Sequence, residues 1–410
     1  MNAPASGGHH DTAAEPSTAR LLNVLCLLWL AGAATRITIA AVPPVIPLIH
    51  DDLHMSETQV GLLIGLPLFT WALAAIPGSL LIARLGARLT LIIGLLVTAS
   101  AAAGRGAAPD VWLLYLATLL MGSGIAIIQP AIPTLVREWT PQRIGVGTAV
   151  STNGLLLGAA AAPALTIPLV LPLVAQSWRL DLVVWAAPVL ATAALAAALA
   201  PRSELPESVD NASVARWWPD WTDPLIWLLG LTFGCNNALF YGASAFLPDY
   251  LTSMGRADLI GAAIGWLAGS QLIASTLLLA TAEHLQRRAW PYLVFGLAAL
   301  AGVVGMAAGS DLWIVVAAAL LGFSLAITFV VTLALPPVLS RPGEVHRMSA
   351  GMLTVSYSCA VIIPVVCGAL WDLTGKPWAA FVPLGVCAAA LIVLGLALSG
   401  ISKQASGIKP

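Results

Sequence analysis

Residues 21–49 read LLNVLCLLWLAGAATRITIAAVPPVIPLI, and Arg36 is the one formal charge among them. A helix needs ~20 mainly apolar residues to cross ~30 Å of hydrocarbon, so the run predicts a membrane span. Comparable runs follow at 58–83, 89–107, 111–136, 144–174, 181–200, 224–251, 259–282, 290–309, 312–339, 348–371 and 378–400. Backbone polar groups find no partners in lipid except inside helices or closed barrels. Twelve helix-length runs therefore specify an all-α polytopic membrane protein.

Composition agrees with that reading. Of 410 residues, 59% are hydrophobic and 9% charged, with a mean hydropathy of +0.92. No soluble domain could keep so much apolar surface from water. The net charge of −1 carries little information because the charges are few and segregated, and nothing in the sequence points to a nucleic-acid partner. Cys26, Cys235, Cys359, Cys367 and Cys387 lie in apolar runs without ligand-like spacing, and are read as reduced, packed thiols.

The first run is too long, and starts too far from Met1, to be a cleaved leader. Residues 1–19 are small and polar and are read as a disordered tail, with His9-His10 a solvated pair rather than a metal site. If the amino terminus is cytoplasmic, thirteen Lys and Arg fall on that side and four opposite, Arg36 being the eighteenth. This is a positive-inside pattern, and it places both termini in the cytoplasm.

Residues 201–222, charged and proline-bearing, are read as a linker between six-helix bundles at 20–200 and 223–401, with a tail at 402–410. The halves repeat. Gly61 and Gly65 precede Gly261 and Gly265 by 200 residues, as Arg88 precedes Arg288 and Gly122 precedes Gly322. With one residue of slip, Pro47 matches Pro248 and Arg36 matches Asn237. Two pseudo-symmetric lobes of the same orientation are a transporter architecture, with the solute site at mid-depth between them.

The 79–88 loop, Ser79-Leu80-Leu81-Ile82-Ala83-Arg84-Leu85-Gly86-Ala87-Arg88, resembles the signature loop G-x-L-A-D-R-x-G-R-K of the major facilitator superfamily. Arg84, Gly86 and Arg88 are kept as a candidate gating loop, whereas Ala83 replaces the usual Asp. A narrower resemblance, to the branch of cyanate permease and the 2-nitroimidazole transporter, rests on three stretches. These are Arg36 with Pro43-Pro44-Val45-Ile46-Pro47, residues 122–133 from Gly122 to Pro133, and Ser349-Ala350-Gly351-Met352 leading to 368–375. It implies twelve helices as six plus six, alternating access, and a cavity lined by the first, fourth, seventh and tenth helices with the second, fifth, eighth and eleventh beside them.

Arg36 is the only formal charge expected at the centre of an apolar segment. A guanidinium there costs roughly 2.5–3.5 kcal/mol on insertion scales, so it normally faces protein or a wet cavity. Its planar fork suits an anionic or strongly dipolar solute. The competing reading is a structural arginine that bonds carbonyls freed by the prolines at 43, 44 and 47. Asn236 and Asn237 need polar partners at depth, met either by solute or by neighbouring helices. Gln129, Asn153, Tyr241, Gln271 and Tyr357 complete the substrate-binding candidates, each weighed against a packing role, and Trp71 and Trp266 could wall the cavity.

Glycine-rich stretches such as Gly122-x-Gly124 precede no Gly-Lys-Ser/Thr, so no nucleotide loop is read. No metal, other cofactor or catalytic constellation is expected, and the chain is not read as an enzyme. Acidic residues and histidines fall at segment ends or outside, which argues against a proton relay. The sequence thus predicts a monomeric inner-membrane secondary transporter of a small anionic or dipolar solute, with the bilayer as its other partner. The alternatives are a multidrug or nitro-aromatic exporter and a non-transporting membrane sensor.

Overall fold

A computed structural model describes residues 18–201, 219–285, 290–309, 311–333, 335–339 and 345–405. Most of the amino-terminal tail, most of the linker, the end of the carboxy-terminal tail and positions 287, 288 and 341 lie outside the described residues. Every described element is helical.

Helix α1, Thr18–Ala40, turns through a tight segment at Pro43–Val45 and resumes at Ile46–Leu53. Pro43 has no N–H to donate, and the Val42 N–H bonds Ile39 rather than Thr38. The Thr38 carbonyl thus loses its usual helical donor. A continuous helical segment from Glu57 to Gly106 is broken at Gly86, where φ is 80°. Only glycine takes that conformation without strain, and the break separates α2 (57–85) from α3 (87–106). Then follow α4 Val111–Trp139, α5 Ile144–Leu165, α6 Trp178–Leu199, α7 Pro224–Ser253, α8 Ile260–Leu285, α9 Trp290–Ala308, α10 Leu312–Leu333, α11 Val345–Thr374 and α12 Phe381–Ala405. Among the described residues eleven spans are long and apolar enough to cross a bilayer, and α2, which matches the 58–83 run, is read as the twelfth. An even number returns the chain to the face it started from, here named the termini face; the opposite one is the far face.

Local chemistry sets the helix starts. Ser56 caps α2 with a reciprocal bond to Gln59, Asp110 accepts from the Leu113 N–H ahead of α4, and Asp223 accepts from the Leu225 N–H ahead of α7, where Pro224 takes the first position. Each satisfies a donor that the first turn leaves orphaned.

Because lipid tails are as apolar as leucine, helices in a membrane associate through close packing of small residues. The repeat seen in the sequence does this in three dimensions. Gly122 of α4 packs on Pro67 and Thr70 of α2, and Gly322 of α10 packs on Leu267 and Ser270 of α8. Gly61 and Gly65 of α2 abut Pro364 and Val361 of α11, while Gly261 and Gly265 of α8 abut Ile167, just past the end of α5, and Ala164 of α5. Each glycine pair thus joins its own lobe to the other one. These inter-lobe contacts lie in the far-face half of the molecule, so the lobes are closed together there.

The structure corrects one expectation about charge. Arg105, counted by sequence at the outer end of the 89–107 run, is 1% exposed, and Asp181, placed at a segment end, is 0% exposed. Arg105 donates to the orphaned Thr38 carbonyl at 2.8 Å and interacts electrostatically with Asp181. Arg36 is therefore not the sole charge held within the bundle. The structural role of bonding a carbonyl freed by the α1 prolines belongs to Arg105.

Candidate functional site

Four helices, two from each lobe, meet around Arg36. Its Nη1 donates to the Tyr241 hydroxyl of α7 at 2.8 Å, and its guanidinium lies 4.6 Å from the centre of the Trp71 ring of α2. Tyr357 of α11 meets Trp71 edge to face at 5.6 Å and lies within electrostatic reach of Arg36 and Tyr241. A cation over an indole face gains about 0.5–2 kcal/mol. The ring and the phenol hold the charge in place without neutralising it.

Among the described residues Arg36 has no carboxylate within ion-pair distance. Of the five N–H donors a guanidinium carries, one is engaged by a side chain, and the residue is half-buried rather than sealed. A half-buried fork of donors, backed by aromatic faces, can accept a planar anion or a dipole with a concentrated negative end.

The other sequence candidates divide. Tyr241 and Tyr357 join Arg36. Asn236 donates to the Leu325 carbonyl at 3.0 Å and to Thr328 Oγ1 at 2.5 Å, both on α10. Asn237 donates to Ser356 Oγ of α11 at 2.8 Å. Both are buried and bind helices of their own lobe, which meets the polar need that the sequence raised. Asn153 accepts from Trp29 Nε1 at 3.0 Å, tying α5 to α1. Gln129 and Gln271 are half-buried and make no hydrogen bond among the described residues. Trp71 backs the site, whereas Trp266 is 51% exposed and not brought to Arg36. In the 79–88 loop Gly86 makes the turn, Arg88 donates to the Ala197 carbonyl near the end of α6 at 2.6 Å, and Arg84 is exposed.

An apolar groove of about 230 Å³ opens between α1, α5 and α6, lined by residues such as Trp29, Leu157 and Val189. It contains no charged side chain, and Arg36 is not part of its wall. It has nothing to orient a polar solute.

The sequence reading missed a second polar centre, at the far face. His50 Nδ1, in the Ile46–Leu53 segment, lies 3.1 Å from Asp249 Oδ2 near the end of α7 and 3.9 Å from Glu57 Oε1 at the start of α2. Asp372 of α11 accepts from the Glu57 N–H at 3.0 Å, the Thr58 N–H at 2.9 Å and the Thr58 hydroxyl at 2.5 Å. It sits on a helix amino terminus, where a carboxylate is favoured. The sequence places these residues at segment ends, as found, but does not show that they meet there. The signal available was the Pro47–Pro248 match, which puts His50 and Asp249 at equivalent ends of the first helix of each half.

The family model described as Major Facilitator Superfamily matches residues 28–364. The cyanate transport protein of Escherichia coli K12 is 27% identical over 381 residues, covering 91% of this chain and 96% of that protein. The 2-nitroimidazole transporter of the same organism is 27% identical over 392 residues, with 93% and 95% covered. Among solved structures, a bacterial homolog of the human lysosomal transporter Spinster, inward-facing and unoccupied, superposes with a TM-score of 0.72 at 16% identity, covering 96% of this chain and 98% of that one. At that identity the match speaks for the fold.

Proposed function

The chain belongs to the Major Facilitator Superfamily, and from that premise we propose that it is a secondary transporter of a small anionic or strongly dipolar solute. The observation that carries the reading is a half-buried Arg36 held between Trp71 of one lobe and Tyr241 of the other, free of any carboxylate among the described residues. Two relatives that match along nearly their whole length are a cyanate and a 2-nitroimidazole transport protein, which fits a small solute with concentrated negative charge or a large dipole.

In this reading the lobes, 20–200 and 223–401, are joined by a cytoplasmic linker at 201–222 and rock about the site by alternating access. The chain lies in the inner membrane with both termini cytoplasmic, so the closed far face is the outer one. Solute on Arg36 repays the cost of an uncompensated guanidinium and bridges α1 to α7 through Tyr241, which favours closure. Asn236, Asn237 and Asn153 hold helices together, while Gln129 and Gln271 complete the polar lining.

The aromatic walls, Trp71, Tyr241 and Tyr357, also favour a second reading, export of flat nitro-aromatic solutes. Proteoliposomes and loaded cells separate the two. Uptake of cyanate, nitrate or a carboxylate that is lost in Arg36→Ala supports the first. Efflux of a nitro-heterocycle with resistance on expression supports the second, and no movement of any of them removes both.

A further inference from the structure

We propose that His50, Glu57 and Asp249 form a binding site for a divalent transition-metal ion of the zinc class, reached from the far face and shared between the two lobes. One ligand atom from each of these residues lies within 4.8 Å of the other two. Zinc takes nitrogen and carboxylate oxygen at ~2.0–2.2 Å in a tetrahedron. Ligand atoms around such an ion stand roughly 3.3–3.6 Å apart by that geometry, and the measured 3.1 and 3.9 Å from His50 Nδ1 bracket this spacing. Small side-chain rotations would complete the set, with water in the fourth position.

A second observation points to a ligand. Glu57 is 7% exposed, and its Oε2 is buried without a hydrogen-bond partner among the described residues. A buried carboxylate oxygen with no donor is costly. The His50–Asp249 hydrogen bond satisfies its own two atoms and leaves that oxygen unmatched. Asp372 cannot relieve it, being itself an acceptor engaged by the first turn of α2, and Asp51 only adds negative charge near His50 and Asp249. A cation answers both the unmatched oxygen and the surplus of carboxylates. The imidazole selects a zinc-like ion over magnesium or calcium, which prefer all-oxygen shells. The His50 side chain, 29% exposed, leaves an approach from the far face.

His50 and Glu57 belong to the first lobe and Asp249 to the second, so a bound ion holds the lobes together where they already touch. Given the alternating-access reading above, it arrests the carrier with the far face shut.

The test uses the purified full-length chain carrying His9→Ala and His10→Ala, which removes the tail histidines as competing ligands. Zinc titrated calorimetrically is expected to bind at one ion per chain, with affinity lowered tenfold or more in Glu57→Gln and in Asp249→Asn. Cobalt absorbance gives a measurement that does not depend on a lost site. His50→Cys keeps a ligand in place, so it is expected to retain the ion and gain a sulfur-to-cobalt charge-transfer band. No saturable binding, affinity unchanged in Glu57→Gln, or a His50→Cys spectrum without that band overturns the proposal. Binding of zinc without slowing of transport keeps the site and counts against alternating access instead.

Discussion

Replacing Asp372 by Ala tests whether the far-face contacts act as a latch between lobes. The carboxylate accepts three hydrogen bonds, at 3.0, 2.9 and 2.5 Å, all from the first turn of α2 in the opposite lobe. A carboxylate at a helix amino terminus contributes about 0.3–1 kcal/mol when exposed and up to ~2 when partly buried. Asp372 is exposed, so we take about 1 kcal/mol, roughly a fivefold shift toward the far-face-open arrangement. Ser56 and Gln59 still cap α2, so the helix itself persists. Hydrogen exchange by mass spectrometry reads the result: peptides covering 54–62 of α2 and 246–255 of α7 should both exchange about five times faster, while α4 stays unchanged. Faster exchange confined to the α2 peptide would mean that Asp372 caps one helix and latches nothing, and the reasoning would be refuted.

Other consequences are equally specific. A Cβ at Gly61 would collide with the Pro364 carbonyl oxygen, whereas one at Gly261 would stand 3.4 Å from the nearest atom of Ile167; Gly61→Leu should therefore abolish transport with helical content intact, and Gly261→Leu should be milder, as paired transport and circular-dichroism measurements would show. Arg105→Gln removes the charged donor to the buried Thr38 carbonyl, a hydrogen bond worth about 1.5–3 kcal/mol; the thermal midpoint should fall, and a double-mutant cycle with Asp181→Asn should read out how strongly the two buried groups are coupled. Tyr241→Phe removes the one side-chain hydrogen bond to Arg36, worth about 0.5–1.5 kcal/mol, and should weaken solute binding roughly two- to tenfold while leaving the melting point of the empty protein near that of the parent.

The architecture was legible because hydropathy and the positional repeat are properties of contiguous chain. Twelve runs gave twelve helices, and the 200-residue offset reappears as matched glycine contacts between α2 and α11 and between α8 and α5. Arg36 was legible for the same reason, as a charge in a run with no other. The burial of Arg105 and Asp181 was not, because each lies within a turn or so of a segment end, where a charge reads as facing water. The far-face cluster was less legible still. His50, Glu57, Asp249 and Asp372 are separated by up to several hundred residues in sequence, and only the closing of two lobes brings them together. The asparagines were read as open between solute and helix, and only coordinates could show that Ser356, Leu325 and Thr328 take their amide donors.

The central claim is that the Arg36 guanidinium receives the solute. Thermal stability of the purified chain, measured against cyanate, nitrate, carboxylates and nitro-heterocycles, tests it most directly, since a ligand that binds the folded form alone raises the melting point. The account predicts that at least one of these stabilises the parent protein and that Arg36→Lys, still folded, loses the effect. A ligand that stabilises Arg36→Ala as strongly as the parent would contradict it.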